Sequence, residues 1–319
     1  MPSQRTVGLL ALVTLTVIWG TTFPAIKIVV GTVGFLYYVA LRFALASLLL
    51  APVALARRSL LSAYLLPGLQ LGVLYFLGIT LQGWGMEYTR ASNAAFVTGL
   101  SVVFVYAFEA FLGKAKPSRR LAMAVALALL GLYLMSFSGG AFEVMLGDAI
   151  VLAGSVCWAL QIMAVDRVAR GDLFSLLFLE CSFTALAAAL IAPLSGLPSG
   201  SALGAALPPL AYLATVCTVG ANALQLYGQR WVGSVEAAFI YLLEPVFAAV
   251  FSYFALGETL TPLQVLGAGA IVSAMALSTM RSGQGKLKAR SSATESEGLG
   301  EVLRAISTNA PLHPARLKA

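Results

Sequence analysis

Ten runs of roughly twenty mostly apolar residues, parted by short polar breaks, leave this chain few ways to fold. At 1.5 Å of rise per residue, about twenty helical residues cross a hydrocarbon core of roughly 30 Å. The runs are Val7–Ile28, Phe35–Ala56, Tyr64–Met86, Ser92–Leu112, Leu121–Phe137, Leu146–Val165, Leu173–Pro193, Leu203–Tyr227, Ser234–Leu256 and Pro262–Met280. The chain of 319 residues is 60% hydrophobic and 10% charged, against about 25% charged for a soluble domain. It is therefore expected to be an all-α membrane protein with ten transmembrane helices. The first run is too long for a signal-peptide core and ends in no small-residue cleavage site, so a retained span is expected.

The net charge of +7 is no nucleic-acid signature here, because basic residues gather in the cytoplasmic loops of membrane proteins. Arg5, Arg57, Arg58, Lys114, Lys116, Arg119, Arg120, Arg167, Arg170, Arg230, Arg281, Lys286, Lys288 and Arg290 fall at one set of ends. Arg90 and Lys27 fall at the other. That asymmetry places both termini in the cytoplasm. From Arg281 the chain turns polar and rich in Ser and Gly, and residues 281–319 are expected to form a disordered cytoplasmic tail.

The chain also repeats. Shifted by 143 residues, Leu81–Phe111 falls on Leu224–Phe254 with eleven of 31 positions identical, including the paired Leu-Gln and the shared Ala-Ala-Phe. Shared membrane composition would give scattered Ala and Leu matches, not Gln, Gly and Phe in register. Residues 1–140 and 141–280 then form two five-helix repeats. Five is odd, so the second repeat enters the bilayer inverted, as in secondary transporters whose sites lie near the midplane.

Several residues do not suit a plain lipid-facing helix. Trp19 lies roughly 21 Å beyond Arg5, near mid-depth. Thr21 and Thr22 precede Pro24, which removes a backbone hydrogen bond; the threonines either satisfy freed carbonyls or meet a solute. Lys27 either snorkels to the outer interface or stands at a cavity mouth. Arg42 is about 22 Å from Arg57, and a charge at mid-span costs about 2.5–3.5 kcal/mol, so it should face the bundle interior with a partner. Glu244 lies near the midplane directly before Pro245, which strips the Tyr241 carbonyl of its donor. Its counterpart in the first repeat is Ser101. Glu109, Glu180 and Glu236 lie nearer the cytoplasmic ends and read as interhelical packing. Gln82, Asn93, Thr98, Gln161, Gln225 and Trp158 are further polar or amphipathic groups at depth. Gly68 and Gly72 form a GxxxG pair, and Ala270 and Ala274 are spaced alike, as close helix contacts require.

No nucleotide, metal or nucleophile–base motif occurs. Cys157, Cys181 and Cys217 sit in apolar runs without ligand spacing, and the only histidine is His313, in the tail. An enzyme, a cofactor or a metal is therefore not expected.

The stretches WGTTFPAIK (from Trp19), LRFALASLLL (from Leu41), GMEYTRASNAAFVTGLSVVF (from Gly85) and YLLEPVFAAVFSYFALGETLTPLQVLGAGAIVSA (Tyr241–Ala274) resemble EamA-type members of the drug/metabolite transporter superfamily. The resemblance spans Val7 to Met280. It implies two inverted five-helix halves around a central cavity, and export or exchange of small metabolites such as amino acids across a bacterial inner membrane. Family cavity positions carried over are Trp19, Lys27, Arg42, Trp158, Tyr241 and Glu244. One departure is Leu112-Gly113-Lys114, where the second half keeps Leu256-Gly257-Glu258.

The expected substrate-binding set is Trp19, Thr22, Lys27, Arg42, Gln82, Asn93, Trp158, Gln161, Tyr241 and Glu244. Alternating access is the expected mechanism, with a lipid bilayer and a small-molecule substrate as partners and proton coupling through Glu244. Assembly is open between monomer and homodimer. Rival expectations are a multidrug exporter with a loose aromatic cavity, a non-transporting sensor, and a channel, for which no filter-like loop is present.

Overall fold

A computed structural model describes residues 3–89, 91–115, 118–136, 146–256 and 261–279. The tail at 281–319, with His313, lies outside the described residues, as do Arg90, Lys116 and Glu258. Every regular element among the described residues is a helix. Nine helical stretches are long and apolar enough to cross a membrane. Arg119–Ser136, apolar from Leu121 onward, is the tenth span, the fifth in chain order.

The spans match the expected runs to within a few residues, and several are broken. The first runs from Gln4 to Val33 and is interrupted at Thr21, between Gln4–Gly20 and Thr22–Val33. Pro24 cannot donate to the Gly20 carbonyl, and its ring crowds that oxygen, so the helix parts one turn earlier. Both threonines at the break are spent on the backbone: Thr21 Oγ1 donates to Ile18 O (2.6 Å) and Thr22 Oγ1 to Trp19 O (2.7 Å). The ninth span parts at Leu242, one turn before Pro245, into Ser234–Tyr241 and Leu243–Leu256. The fourth parts at Leu100, into Ala91–Gly99 and Ser101–Phe111, one residue from the matching place in the first repeat and without a proline. The eighth, Gly200–Gln229, carries a π-helical turn at Thr215–Gly220. A short helix, Arg58–Ala63, joins the second span, Phe35–Ala56, to the third, Leu65–Tyr88.

Glycines set the closest approaches, as expected where helices pack without a hydrophobic driving force. A methyl group on Gly68 would sit 2.5 Å from Leu179 Cβ, and one on Gly72 2.7 Å from Phe183 Cβ. The third span thus packs against the seventh, Leu173–Ile191, through its GxxxG face. Two further crossings repeat one another between the halves. On the third and sixth spans, Gly85 meets Gly147, with a Gly85 methyl 2.7 Å from the Gly147 oxygen. On the first and eighth, Gly8 meets Gly228, with a Gly8 methyl 3.2 Å from the Gly228 oxygen. Gly228 is the counterpart of Gly85 in the 143-residue shift, and Gly8 and Gly147 each lie eleven residues ahead of a tryptophan, Trp19 or Trp158. The two crossings are one contact built twice. A third, Gly131 against Gly267 between the fifth and tenth spans, pairs the last helix of each repeat with the other (2.8 Å to the Gly267 oxygen).

Cross-helix contacts mark two faces. On the basic face, Arg5 pairs with Glu236, Arg57 with Asp172 (2.8 Å), and Ser234 donates to Glu109 (2.9 Å). The expected interhelical role of Glu109 and Glu236 is what the structure gives them. On the opposite face, Thr89 donates to Asp148 (2.5 Å), and Lys27 donates to the Met86 and Thr89 carbonyls at the end of the third span. Buried apolar side chains form two clusters. One centres on the second, third and seventh spans, including Tyr38, Phe43, Leu71 and Cys181; the other joins the first, fifth and ninth through Leu15, Leu132 and Phe239.

Candidate functional site

Between the two halves lies a partly open cavity, with about 620 Å³ of unfilled space counted together with the solvent at its mouth. The broken helices build its walls. The first span supplies Trp19 and Thr22 around its break; the fourth supplies Thr98, Gly99 and Ser101; the ninth supplies Tyr241, Leu242 and Glu244. Non-helical backbone at membrane depth is tolerated where protein or a cavity covers it, and here all three breaks adjoin one cavity.

Of the ten residues picked out from sequence, Trp19, Thr22, Arg42, Gln82, Trp158, Gln161, Tyr241 and Glu244 line this cavity. Lys27 and Asn93 do not. Lys27 caps the carbonyl end of the third span, where a cation also meets the negative end of the helix dipole. Asn93 is half-buried near the start of the fourth span, away from the lining.

Arg42 is 2% exposed. Its Nε donates to Thr218 Oγ1 (2.7 Å), Nη1 to the Tyr38 hydroxyl (2.5 Å) and Nη2 to Cys217 O (3.2 Å). Two of these partners sit on the π turn of the eighth span, where Thr218 itself donates to Leu213 O, five residues back (2.9 Å). Widening the helix there turns a carbonyl and a hydroxyl toward the second span. All three partners are neutral, and no carboxylate among the described residues lies within 4.0 Å of the guanidinium. The Phe43 and Tyr38 rings flank it at 5.4 and 5.8 Å. A buried full charge held by neutral groups retains its attraction for an anion.

Glu244 opens the second half of the ninth span, in its first turn. The positive end of that half-helix supports a carboxylate. Ser101 opens the corresponding half of the fourth span, so the two helix starts face one cavity with different chemistry. Trp19 and Tyr241 meet edge to face (5.4 Å), and Tyr241 donates to Gln229 Oε1 (3.1 Å). Trp158 stands edge-on to Tyr75 (4.8 Å), and its indole N–H is buried without a hydrogen-bond partner. An orphaned donor on a cavity wall is open to a solute's acceptor.

The structure adds one residue that sequence reasoning passed over and enriches the surroundings of one it named. Tyr75 lines the cavity and donates to Asn222 Oδ1 (3.3 Å). It sits eleventh in a 24-residue span, so its depth was countable, but in an apolar stretch it reads as packing. Glu180 is 1% exposed and accepts from Gln161 Nε2 (3.3 Å). That is the interhelical bond expected of it, made at the eighth residue of the seventh span.

Comparison with known proteins agrees with this architecture. The EamA-like transporter family model matches twice, over residues 6–137 and 145–280. An uncharacterized transporter of Archaeoglobus fulgidus is 32% identical over 274 residues, covering 85% of each chain. The Escherichia coli threonine/homoserine exporter RhtA is 31% identical over 169 residues, covering 49% of this chain and 53% of its own. The Escherichia coli uncharacterized inner membrane transporter YedA is 27% identical over 289 residues, covering 85% of this chain and 90% of its own. A crystal structure superposes with a TM-score of 0.71 at 20% identity, covering 86% of this chain and 97% of its own, which shows a shared fold. With both halves matched by one family model, the chain belongs to the EamA-like transporter family and is a multi-pass membrane protein that transports small molecules.

Proposed function

We propose that this transporter exports small zwitterionic metabolites, amino acids of about threonine or homoserine size, across the inner membrane by alternating access. The observation that carries the reading is Arg42: a buried guanidinium with only neutral partners, on the same cavity as Glu244. A substrate carboxylate docks against Arg42 and its ammonium against Glu244. The Trp158 indole N–H takes a carbonyl or hydroxyl oxygen, and Trp19 and Tyr241 pack the aliphatic part. A guanidinium and a carboxyl on one cavity wall favour this over a loose multidrug cavity. RhtA, similar over about half of each chain, is named for threonine and homoserine. The basic face lies in the cytoplasm, with both chain ends on that side. A monomer suffices, because one chain supplies the whole cavity.

Alternating access follows from the inverted halves. The glycine crossings form rigid helix pairs, while the three breaks at the cavity give way as the halves rock. The test is exchange of labelled for unlabelled L-threonine or L-homoserine in liposomes holding the purified protein. The wild type exchanges either, whereas Arg42→Gln and Glu244→Gln slow exchange at least about tenfold, the scale of one lost charge-assisted hydrogen bond. Full exchange in both variants would refute the docking.

A further inference from the structure

One buried acid has no task in this scheme. Glu180 on the seventh span is almost fully enclosed, yet two separate side chains link it to the cavity. Gln161, on the cavity wall, donates to Glu180 Oε1 at 3.3 Å and exchanges hydrogen bonds with Gln225 of the eighth span (3.0 and 3.4 Å). Tyr75, also on the wall, donates to Asn222 Oδ1, and the Asn222 amide lies beside the Glu180 carboxyl. Asn222 is itself 1% exposed, and its Nδ2 makes no hydrogen bond within 3.5 Å. The carboxyl therefore sits one side chain behind the wall by two routes, in a polar nest that is not fully satisfied. A purely structural acid at this depth would be expected to have a complete set of partners.

We infer that Glu180 is the carboxyl that binds and releases the coupling proton, and that Gln161 is the side chain through which the cavity reads its state. This rests on the transport reading above and adds to it the coupling ion and its site. The titratable and charged groups facing Glu180 are Tyr75 from the third span, Cys181 from its own helix and, beyond those two, Arg42 from the second. The sixth and eighth spans present amides: Gln161, Asn222 and Gln225. Thr184, one turn on, is committed to the Glu180 and Gly72 carbonyls. No cation of the protein lies within 4.0 Å of Glu180 among the described residues. A proton suits this nest better than a metal ion, because the groups turned toward the carboxyl are amide nitrogens, whereas a sodium ion needs a shell of oxygens.

The step involves no bond other than O–H. A proton from one side adds to a Glu180 oxygen when Gln161 swings into the cavity and admits water. It leaves to the other side after the halves have rocked. The neutral acid accepts from Gln161 less strongly than the carboxylate, so protonation frees the Gln161 amide for the substrate. Carboxylate and substrate then compete for one amide, so proton and substrate are carried together and net flux follows the pH difference.

The experiment uses the full chain in liposomes with labelled L-threonine and an imposed pH difference of about one unit, which drives about a tenfold accumulation for one proton per substrate. The wild type is expected to accumulate. Glu180→Gln should still exchange labelled for unlabelled L-threonine yet lose the response to the pH difference, and Glu180→Asp should recover part of it. The proposal is overturned if Glu180→Gln follows the gradient as the wild type does. It is equally overturned if the wild type exchanges but ignores the gradient or follows a sodium gradient instead. Absence of L-threonine exchange in the wild type would count against the substrate reading alone. Glu180 is then judged by infrared titration of the purified protein. A protonated-carboxyl band that bleaches in alkali and is missing from Glu180→Gln supports the proposal, and identical spectra refute it.

Discussion

Arg42 illustrates how far a single residue could be read in advance. Helix rise alone placed it too far from Arg57 to reach the basic interface, so an interior position with a partner was required. The structure gives it three partners and almost no exposure. What the sequence could not reveal is that all three are neutral, because they come from Tyr38 one turn away and from the eighth span far along the chain. Lys27 shows the converse. A lysine near an outer face has two ordinary fates, and which carbonyls it meets depends on where the third span ends. Glu180 was read as an interhelical acid and is one, bonded to Gln161 of the sixth span; the other amides around it gave no sign in the sequence. Trp158→Phe is the sharpest test at this scale. It keeps the ring packed on Tyr75 and removes only the unpaired N–H. Affinity for L-threonine should fall by about 1 kcal/mol, roughly fivefold, with thermal stability unchanged, as read by titration of binding and by melting in detergent.

At the scale of elements, prolines announced two of the three breaks at the cavity. The third, at Leu100, has no proline, and only its place one residue from the match of Leu242 across the repeat could have suggested it. The π turn had no visible signal, since nothing in Thr215–Gly220 requires an extra residue in that turn. The break in the first span is tied down by Gly20, where a methyl group would lie 2.6 Å from Phe247 Cβ and 3.0 Å from the Ala248 nitrogen. Gly20→Val should therefore separate the first and ninth spans and lower stability by about 1–3 kcal/mol, seen as a lower melting temperature. On the basic face the Arg57–Asp172 tie carries a pH dependence. Burial pushes the Asp172 carboxyl up, but the Ser175 amide and the Arg57 guanidinium outweigh it and hold the carboxyl below its ordinary range. Its contribution is therefore complete above the ordinary value near about 3.9 and is lost as pH falls through the lowered one. Arg57 is half exposed, so the tie contributes only about 0.2–1 kcal/mol. Asp172→Asn should melt slightly below the wild type at neutral pH, and the two curves should converge in strong acid.

Across the whole molecule, ten spans and an internal repeat were legible because lipid imposes one length on every helix and an odd helix count forces inversion. The paired glycine crossings, Gly85 with Gly147 and Gly8 with Gly228, are the repeat written in contacts. They could not be matched beforehand, since a glycine in an apolar run does not name the helix it touches. The account stands on a polar cavity between those halves receiving the solute. The most direct measurement replaces Ser101, the counterpart of Glu244 on the cavity wall, by cysteine in a background lacking Cys157, Cys181 and Cys217. Its alkylation by a small maleimide is then timed with and without L-threonine. The account predicts that L-threonine slows alkylation of Ser101→Cys and leaves that of Ser201→Cys, exposed at the polar start of the eighth span, untouched. Equal rates at Ser101→Cys with and without L-threonine, in protein that exchanges it, would place the solute elsewhere and contradict the account.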